Sequence, residues 1–151
     1  QIDTIGTDHV ANQLKLKLDG DDVWGALAGF PGIGTVLPIL LNDGVNQNRI
    51  TLEQFVHFTS TNAAKIFGMY PQKGTLEKNS DADITMIDLK KEKTVTSDLF
   101  GGFSDYIVYE GRNLKGWPVK TIVRGELVAD DFEVIGKLGH GRLVERKIQL
   151  S

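Results

Sequence analysis

Cysteine is absent from this chain of 151 residues, which excludes a disulfide framework, a thiolate metal site and thiol nucleophiles. A cysteine-free chain fits a reducing compartment, so a cytoplasmic location is expected. Long apolar runs are also absent. The longest, Val36 to Leu41, contains Pro38 and falls far short of the roughly 20 residues that a membrane span needs. There is no basic excess, because 17 Lys and Arg face 20 Asp and Glu for a formal net charge of −3. With no Lys/Arg cluster to form a basic face, neither nucleic acid nor a membrane is expected as a partner. The three His form no H-x-H or H-x-x-x-H pair, and neither a G-x-G-x-x-G order nor a Gly-Lys-Ser/Thr ending occurs. A Ser/His/Asp nucleophile signature, an internal repeat and a low-complexity tract are missing as well. The chain opens at Gln1 rather than Met, with no targeting pattern before its first apolar segment, so a piece of a longer protein is expected.

What is present is ordinary globular material, 40% hydrophobic and 25% charged. That is enough for one domain or two halves. Ile2 to Thr7 reads as a short, part-buried strand that delivers Asp8 and His9 at its C-terminal end. Val10 to Gly34 reads as one long glycine-rich loop without regular structure, of a length that is usually functional or disordered. Thr35 is placed to cap a helix through about Asn42, with Pro38 in its first turn and Gly44 just past its end. Thr51 and Gln54 spell a capping box for a second helix that turns Leu52, Phe55, Val56 and Thr59 inward. Asn62 is placed to cap a further helix, 63 to 67, which Gly68 ends. From Gly74 the period changes from 3.6 to 2, and strands are expected at Asp83 to Leu89, Thr94 to Thr96, Val119 to Arg124 and Glu126 to Ala129. Tight turns are expected at Gly125 and at Asp130 to Phe132.

Asp8 is the sharpest chemical candidate. A carboxylate at the end of a buried strand is where (β/α) barrels place catalytic groups and metal ligands, although a cap or turn residue would look the same. His9 could ligate, donate, or hydrogen-bond a neighbour. The run Gly29-Phe30-Pro31-Gly32-Ile33-Gly34 marks a backbone that passes close to something, either a ligand or a neighbouring loop. His57 reads as solvated or cap-proximal. Phe103, Tyr106, Tyr109 and Trp117 read as a cover for the β half, as core or as subunit interface.

Five segments, in order, carry a resemblance. They are Gly6-Thr7-Asp8-His9; Gly29 to Thr35 with Leu37-Pro38; Thr59-Ser60-Thr61-Asn62-Ala63-Ala64-Lys65-Ile66-Phe67-Gly68; Lys73-Gly74-Thr75 with Ser80-Asp81-Ala82-Asp83; and Gly116-Trp117-Pro118-Val119 with Val123-Arg124-Gly125-Glu126. Together they resemble the C-terminal third of the cyclic amidohydrolases, the group of hydantoinases, dihydropyrimidinases, allantoinases and dihydroorotases. The resemblance implies an α/β plus β fold, the C-terminal fragment of a metal-dependent hydrolase barrel of the (β/α)8 type followed by strands of a composite β-sandwich. Residues 1–72 would supply the barrel's last strand, loop and helices, 73–135 the sandwich strands, and 136–151 a tail for oligomer contact.

The same resemblance implies one or two divalent metals, zinc as a rule, with Asp8 as a ligand and as the base and acid that handles the hydrolytic water's proton. It implies a small cyclic amide or imide as substrate, bound near Asn12, Ala28, Gly29 and Gly32, and a homo-oligomer. Departures bear on the substrate. Asn12 stands where dihydroorotases carry a His, and Ala28 where hydantoinases often carry an Asn. Asn79 and Ala63 replace a common Gly and a common Pro. The tail around Gly139-His140-Gly141-Arg142 looks more like hydantoinase and dihydropyrimidinase. The family's remaining metal ligands belong to a segment preceding the one matched here, and a barrel of roughly 250 residues cannot be built from this chain. Alone it is expected to be inactive and to need the missing N-terminal part. Dihydroorotase or allantoinase activity, or a non-catalytic oligomeric scaffold, are the alternatives.

Overall fold

The Thr51 capping box forms as its residue types dictate. The Thr51 hydroxyl accepts the Gln54 N–H at 3.2 Å, and Gln54 Oε1 accepts the Thr51 N–H at 2.8 Å, satisfying two donors that a helix start leaves open. In the computed structural model, which describes residues 2–20 and 22–146, four helices precede a four-stranded sheet. They are α1 (Leu14–Lys17), α2 (Val36–Ile39), α3 (Leu52–Val56) and α4 (Asn62–Ile66). Wide π-type turns extend α2 through Leu40–Val45 and join α3 to α4 through His57–Thr61.

The sheet is antiparallel throughout, in the order β1 (Ile84–Thr94), β2 (Asn113–Val123), β3 (Glu126–Asp130) and β4 (Glu133–Val134). The β1–β2 register slips twice, between Met86 and Ile87 and between Asp88 and Glu92. Pro118, which has no N–H to give the ladder, sits at the first slip. At the second, Asp88 Oδ1 accepts the N–H groups of Lys90 and Lys91 at 2.8 and 3.1 Å. Opposite it lies Gly116, φ +98°, where a Cβ would stand 2.8 Å from Leu41 Cβ. The bulge and the glycine together let the end of α2 press onto the sheet. The predicted strand 83–89 therefore continues past the bulge to Thr94, where β1 ends, so the predicted strand 94–96 does not form over Val95 and Thr96, and the predicted strand 119–124 begins instead at Asn113.

Both tight turns have two successive residues in the left-handed region, Arg124 and Gly125 (φ +48° and +83°), then Asp131 and Phe132 (φ +41° and +77°). This is the twist that two-residue hairpins prefer. The core sits where helices meet sheet. Val95, Leu114 and Trp117 are fully buried there, with Ile107, and Ile39, Leu99, Phe100, Tyr109 and Phe132 pack around them. Trp117 Nε1 donates to Leu114 O at 2.8 Å. Of the aromatics expected to cover the sheet, Trp117 is core and Phe103 is exposed.

Several local expectations are overturned. No strand forms over 2–7, because among the described residues this segment finds no ladder partner: Ile5 N–H donates to Phe58 O alone, and the isolated parallel bridge nearby joins His9, beyond the segment, to Phe30. The stretch 10–34 is not wholly irregular, since α1 makes one turn within it. Thr35 does not cap α2; its hydroxyl donates to Gly32 O at 3.0 Å and is buried there. Gly44 lies inside the helical run rather than past it, because Asn42 Oδ1 accepts the Lys115 N–H and Asn46 Nδ2 donates to Lys115 O, which gives the extra turn a docking role on β2. Asn62 caps nothing and instead donates to Asp3 O at 2.9 Å. Of the face expected to turn inward on α3, Phe55 is buried while Leu52 and Val56 stay exposed. In the tail, residues 147–151, including Lys147, lie outside the described residues.

Candidate active site

Asp8 stands at the step from the extended N-terminal segment into the glycine-rich loop. Its φ is +46°, a left-handed conformation that Asp tolerates better than most residues and that clusters at functional sites. Its side chain is exposed. The backbone on both sides is tied down. Ile5 N–H donates to Phe58 O at 3.3 Å and Val10 N–H to Phe30 O at 3.1 Å, while His9 Nδ1 accepts the N–H groups of Gly32 and Ile33 at 3.1 and 3.4 Å.

The glycines of the loop answer to neighbouring segments of the chain, one of the two readings left open. Gly29 has φ +82°, and any Cβ there would run into the Val10 side chain; at Gly34 it would run into the Phe100 ring. Gly32 is buried, and a Cβ there would make ordinary 3.6 Å contact with Thr7 and Phe30.

The residues expected around a substrate fall into two groups. Asn12, half-buried, directs Nδ2 at the carbonyl of exposed Ala28 at 3.4 Å, beside Gly29. Gly32 lies instead against His9. On either side of Ala28, Lys17 Nζ donates to Leu27 O at 2.6 Å and Gly29 O at 2.5 Å. Sequence reasoning gave Lys17 no role, because nothing in a stretch read as irregular showed that one turn of helix would aim its ammonium at the loop. Nor did it single out Phe100, which lines a hollow of about 100 Å³ with His9, Gly32, Gly34, Phe103 and Tyr106. The hydroxyls of Ser104 and Tyr106 are buried nearby without a hydrogen-bond partner among the described residues. His57 is exposed, its Nδ1 3.5 Å from Asn62 Oδ1. His140 sits between Val123 O and Glu126.

Among the described residues, no three His, Asp or Glu side chains converge on a point where a metal ion could be held. Asp8 offers one exposed carboxylate, and His9 spends Nδ1 on the loop backbone. This donor set fits one ligand of a centre shared with other residues, and does not fit a complete centre.

The chain belongs to the amidohydrolase family, whose model matches residues 1–128. Among its relatives is the L-hydantoinase of Paenarthrobacter aurescens, 42% identical over 147 residues, covering 97% of this chain and 32% of that protein. The D-hydantoinase of Geobacillus stearothermophilus is 36% identical over 148 residues, covering 97% and 31%. Among solved structures, the dihydropyrimidinase of Brevibacillus agri superposes with a TM-score of 0.91 at 36% identity, covering 95% of this chain and 32% of that one. The chain thus spans about a third of the length of the relatives it matches.

Proposed function

We propose that these residues are the C-terminal part of a metal-dependent cyclic amidohydrolase that hydrolyses the ring amide C–N bond of a hydantoin or dihydropyrimidine. The observation that carries this reading is Asp8, held in a left-handed backbone beside a glycine loop that its next two residues, His9 and Val10, fasten, in a chain 42% identical to an L-hydantoinase. In this reading residues 1–72 complete the barrel, 73–135 form sandwich strands, and 136–151 contribute to a homo-oligomer contact. The N-terminal remainder of the protein supplies the other metal ligands, without which these residues are inactive. The absence of cysteine supports a cytoplasmic location.

A divalent metal, zinc by family habit, would supply a water acidic enough to be deprotonated near neutral pH. Asp8 would be its one ligand from these residues. The work left to Asp8 is proton transfer. Its carboxylate takes the proton from the attacking water and returns it to the ring nitrogen, which leaves poorly as an anion. The peptides from Ala28 to Gly32 hold the ring's amide groups, and Asn12, turned to Ala28 O, steadies that edge. With Asn rather than His at position 12, that side chain offers no cation to a substrate carboxylate, which favours hydantoin or dihydrouracil over dihydroorotate.

The test is turnover of hydantoin and dihydrouracil by the full-length protein and its Asp8→Asn variant. Loss of a general acid–base group lowers kcat roughly 10²- to 10⁴-fold, with KM and melting temperature little changed. A variant as active as its parent, or a full-length protein inert toward both rings, would overturn the reading.

A further inference from the structure

We infer that His9 is a positioning residue, which sets the substrate-binding loop against Asp8 by accepting two backbone N–H groups on one ring nitrogen. The inference rests on the functional reading above and assigns a residue to the same site.

Nδ1 of His9 lies 3.1 Å from Gly32 N and 3.4 Å from Ile33 N. A backbone N–H can only donate, so Nδ1 must be the bare, accepting nitrogen and the ring hydrogen sits on Nε2. The Gly32–Ile33 peptide is thereby oriented from one side by His9. From the other, the Thr35 hydroxyl and N–H both donate to Gly32 O, at 3.0 and 3.2 Å. The N–H groups of Gly32 and Ile33 and the Gly32 carbonyl are all spoken for, and the Gly32–Ile33 peptide cannot turn over without breaking contacts on both faces.

The geometry ties this peptide to Asp8 through the shortest possible path. His9 is the next residue in the chain, and Val10 N–H donates to Phe30 O at 3.1 Å, so the two residues after Asp8 each grip the loop. A left-handed Asp8 has no helix or strand of its own to hold it; His9 and Val10 provide the hold. The His9 ring is itself exposed, so its contribution to the core is small, and its connection to the loop is the contact that stands out.

Two substitutions separate positioning from chemistry. Asn places its amide oxygen where Nδ1 stood and can accept the same N–H groups, whereas Leu cannot. A loop that holds the ring alike before and during reaction governs KM, while a group acting on the reacting atoms governs kcat. In the full-length protein, His9→Leu is expected to raise KM roughly three- to tenfold, the effect of about one lost hydrogen bond, with a smaller change in kcat. His9→Asn is expected to restore most of that loss. Hydrogen exchange followed by mass spectrometry should show faster exchange over residues 29–35 in the Leu variant than in wild type or the Asn variant. Unchanged KM and unchanged exchange in the Leu variant would overturn the inference. So would a fall in kcat alone that Asn does not restore. If the wild-type protein hydrolyses no cyclic amide, the functional reading fails on that control, and the exchange comparison still decides whether His9 holds the loop.

Discussion

Phe132 sets the edge of its ring against Trp117, with centroids 5.6 Å apart and planes at 66°, while its own backbone occupies the left-handed region at φ +77°. That conformation is costly for a bulky residue. Packing offsets the cost, since Trp117 is fully buried and the ammonium groups of Lys93 and Lys91 stand 4.9 and 5.4 Å from the Phe132 ring centre. Trp117→Ala should cost about 3–5 kcal/mol, as for other large aromatic truncations. Phe132→Ala should destabilise clearly more than Val134→Ala, whose side chain is 85% exposed. Thermal unfolding of the three full-length variants checks the order, and equal losses for Phe132→Ala and Val134→Ala would contradict it.

At Gly34 the expected effect is steric. The Phe100 ring fills the space a Cβ would take, and Phe100 in turn stacks on Trp117 at 6.5 Å, so the ring cannot retreat freely. Gly34→Ala should destabilise the protein by about 1–3 kcal/mol, the usual cost of overpacking. Combined with Phe100→Leu, the two losses should sum to less than their separate values, since the contact is shared. Strict additivity in that double-mutant cycle would show that the collision does not matter.

How much of this was legible in the sequence depended on how local each feature is. The capping box at Thr51 and the turn at Arg124-Gly125 are decided within four residues, and both are formed. The turn at Asp130 to Phe132 is legible too, but a phenylalanine in left-handed backbone follows from Trp117, which no local pattern announces. Ile2 to Thr7 reads as a strand, yet a local pattern cannot supply the neighbour a ladder needs. The His9 contact joins residues 23 positions apart, so the dipeptide Asp8-His9 could be noticed while its partner could not. The Thr35 hydroxyl can by its type either cap a helix or serve a carbonyl in the preceding loop, and only packing chooses the Gly32 carbonyl.

Acid should act on three carboxylates outside the candidate site. Burial pushes the Asp43 carboxyl up, but hydrogen bonds from Asn42 and Arg112, with the charges of Arg112 and Arg49, hold it below the ordinary range. Hydrogen bonds from Lys73 and Gln72 lower Asp81, and one from Lys91 lowers Asp131. A depressed carboxylate contributes stability that is present above its unfolded value of about 3.9 and lost as pH falls through the lower folded value. Melting temperature should therefore drop below about pH 4. In Asp43→Asn the drop should be shallower and the neutral-pH value slightly lower, the pair being exposed and its contribution small. Lys73 has the opposite sign. Burial lowers it, yet bonds to Asp83 and Asp81 raise it overall, so its contribution persists through neutral pH and fades only above about pH 10. A variant of Asp43 whose acid limb matches the wild type would remove that ion pair from the account.

Lys17 gives the last expectation, on the loop that begins one residue after it. Its ammonium donates to Leu27 O and Gly29 O, closing the base of a lobe that carries Trp24, 90% exposed. Helix α1 buries none of its residues, so the lobe borrows little stability from the core, and its base is held by this cation beside the Asn12–Ala28 and Val10–Phe30 contacts. Lys17→Met keeps the length of the stem and removes both donated bonds, while Lys17→Arg keeps a donor. Global melting should hardly move in either variant, because local opening is uncoupled from core unfolding. Cleavage by chymotrypsin after Trp24 should speed up several-fold in Lys17→Met and little in Lys17→Arg, since proteolysis follows the population of the open form. The carbonyl released at Gly29 belongs to the proposed ring-binding edge, so KM for a hydantoin should rise with the cleavage rate. A Met variant cut at the wild-type rate would show that the lobe is held without this cation.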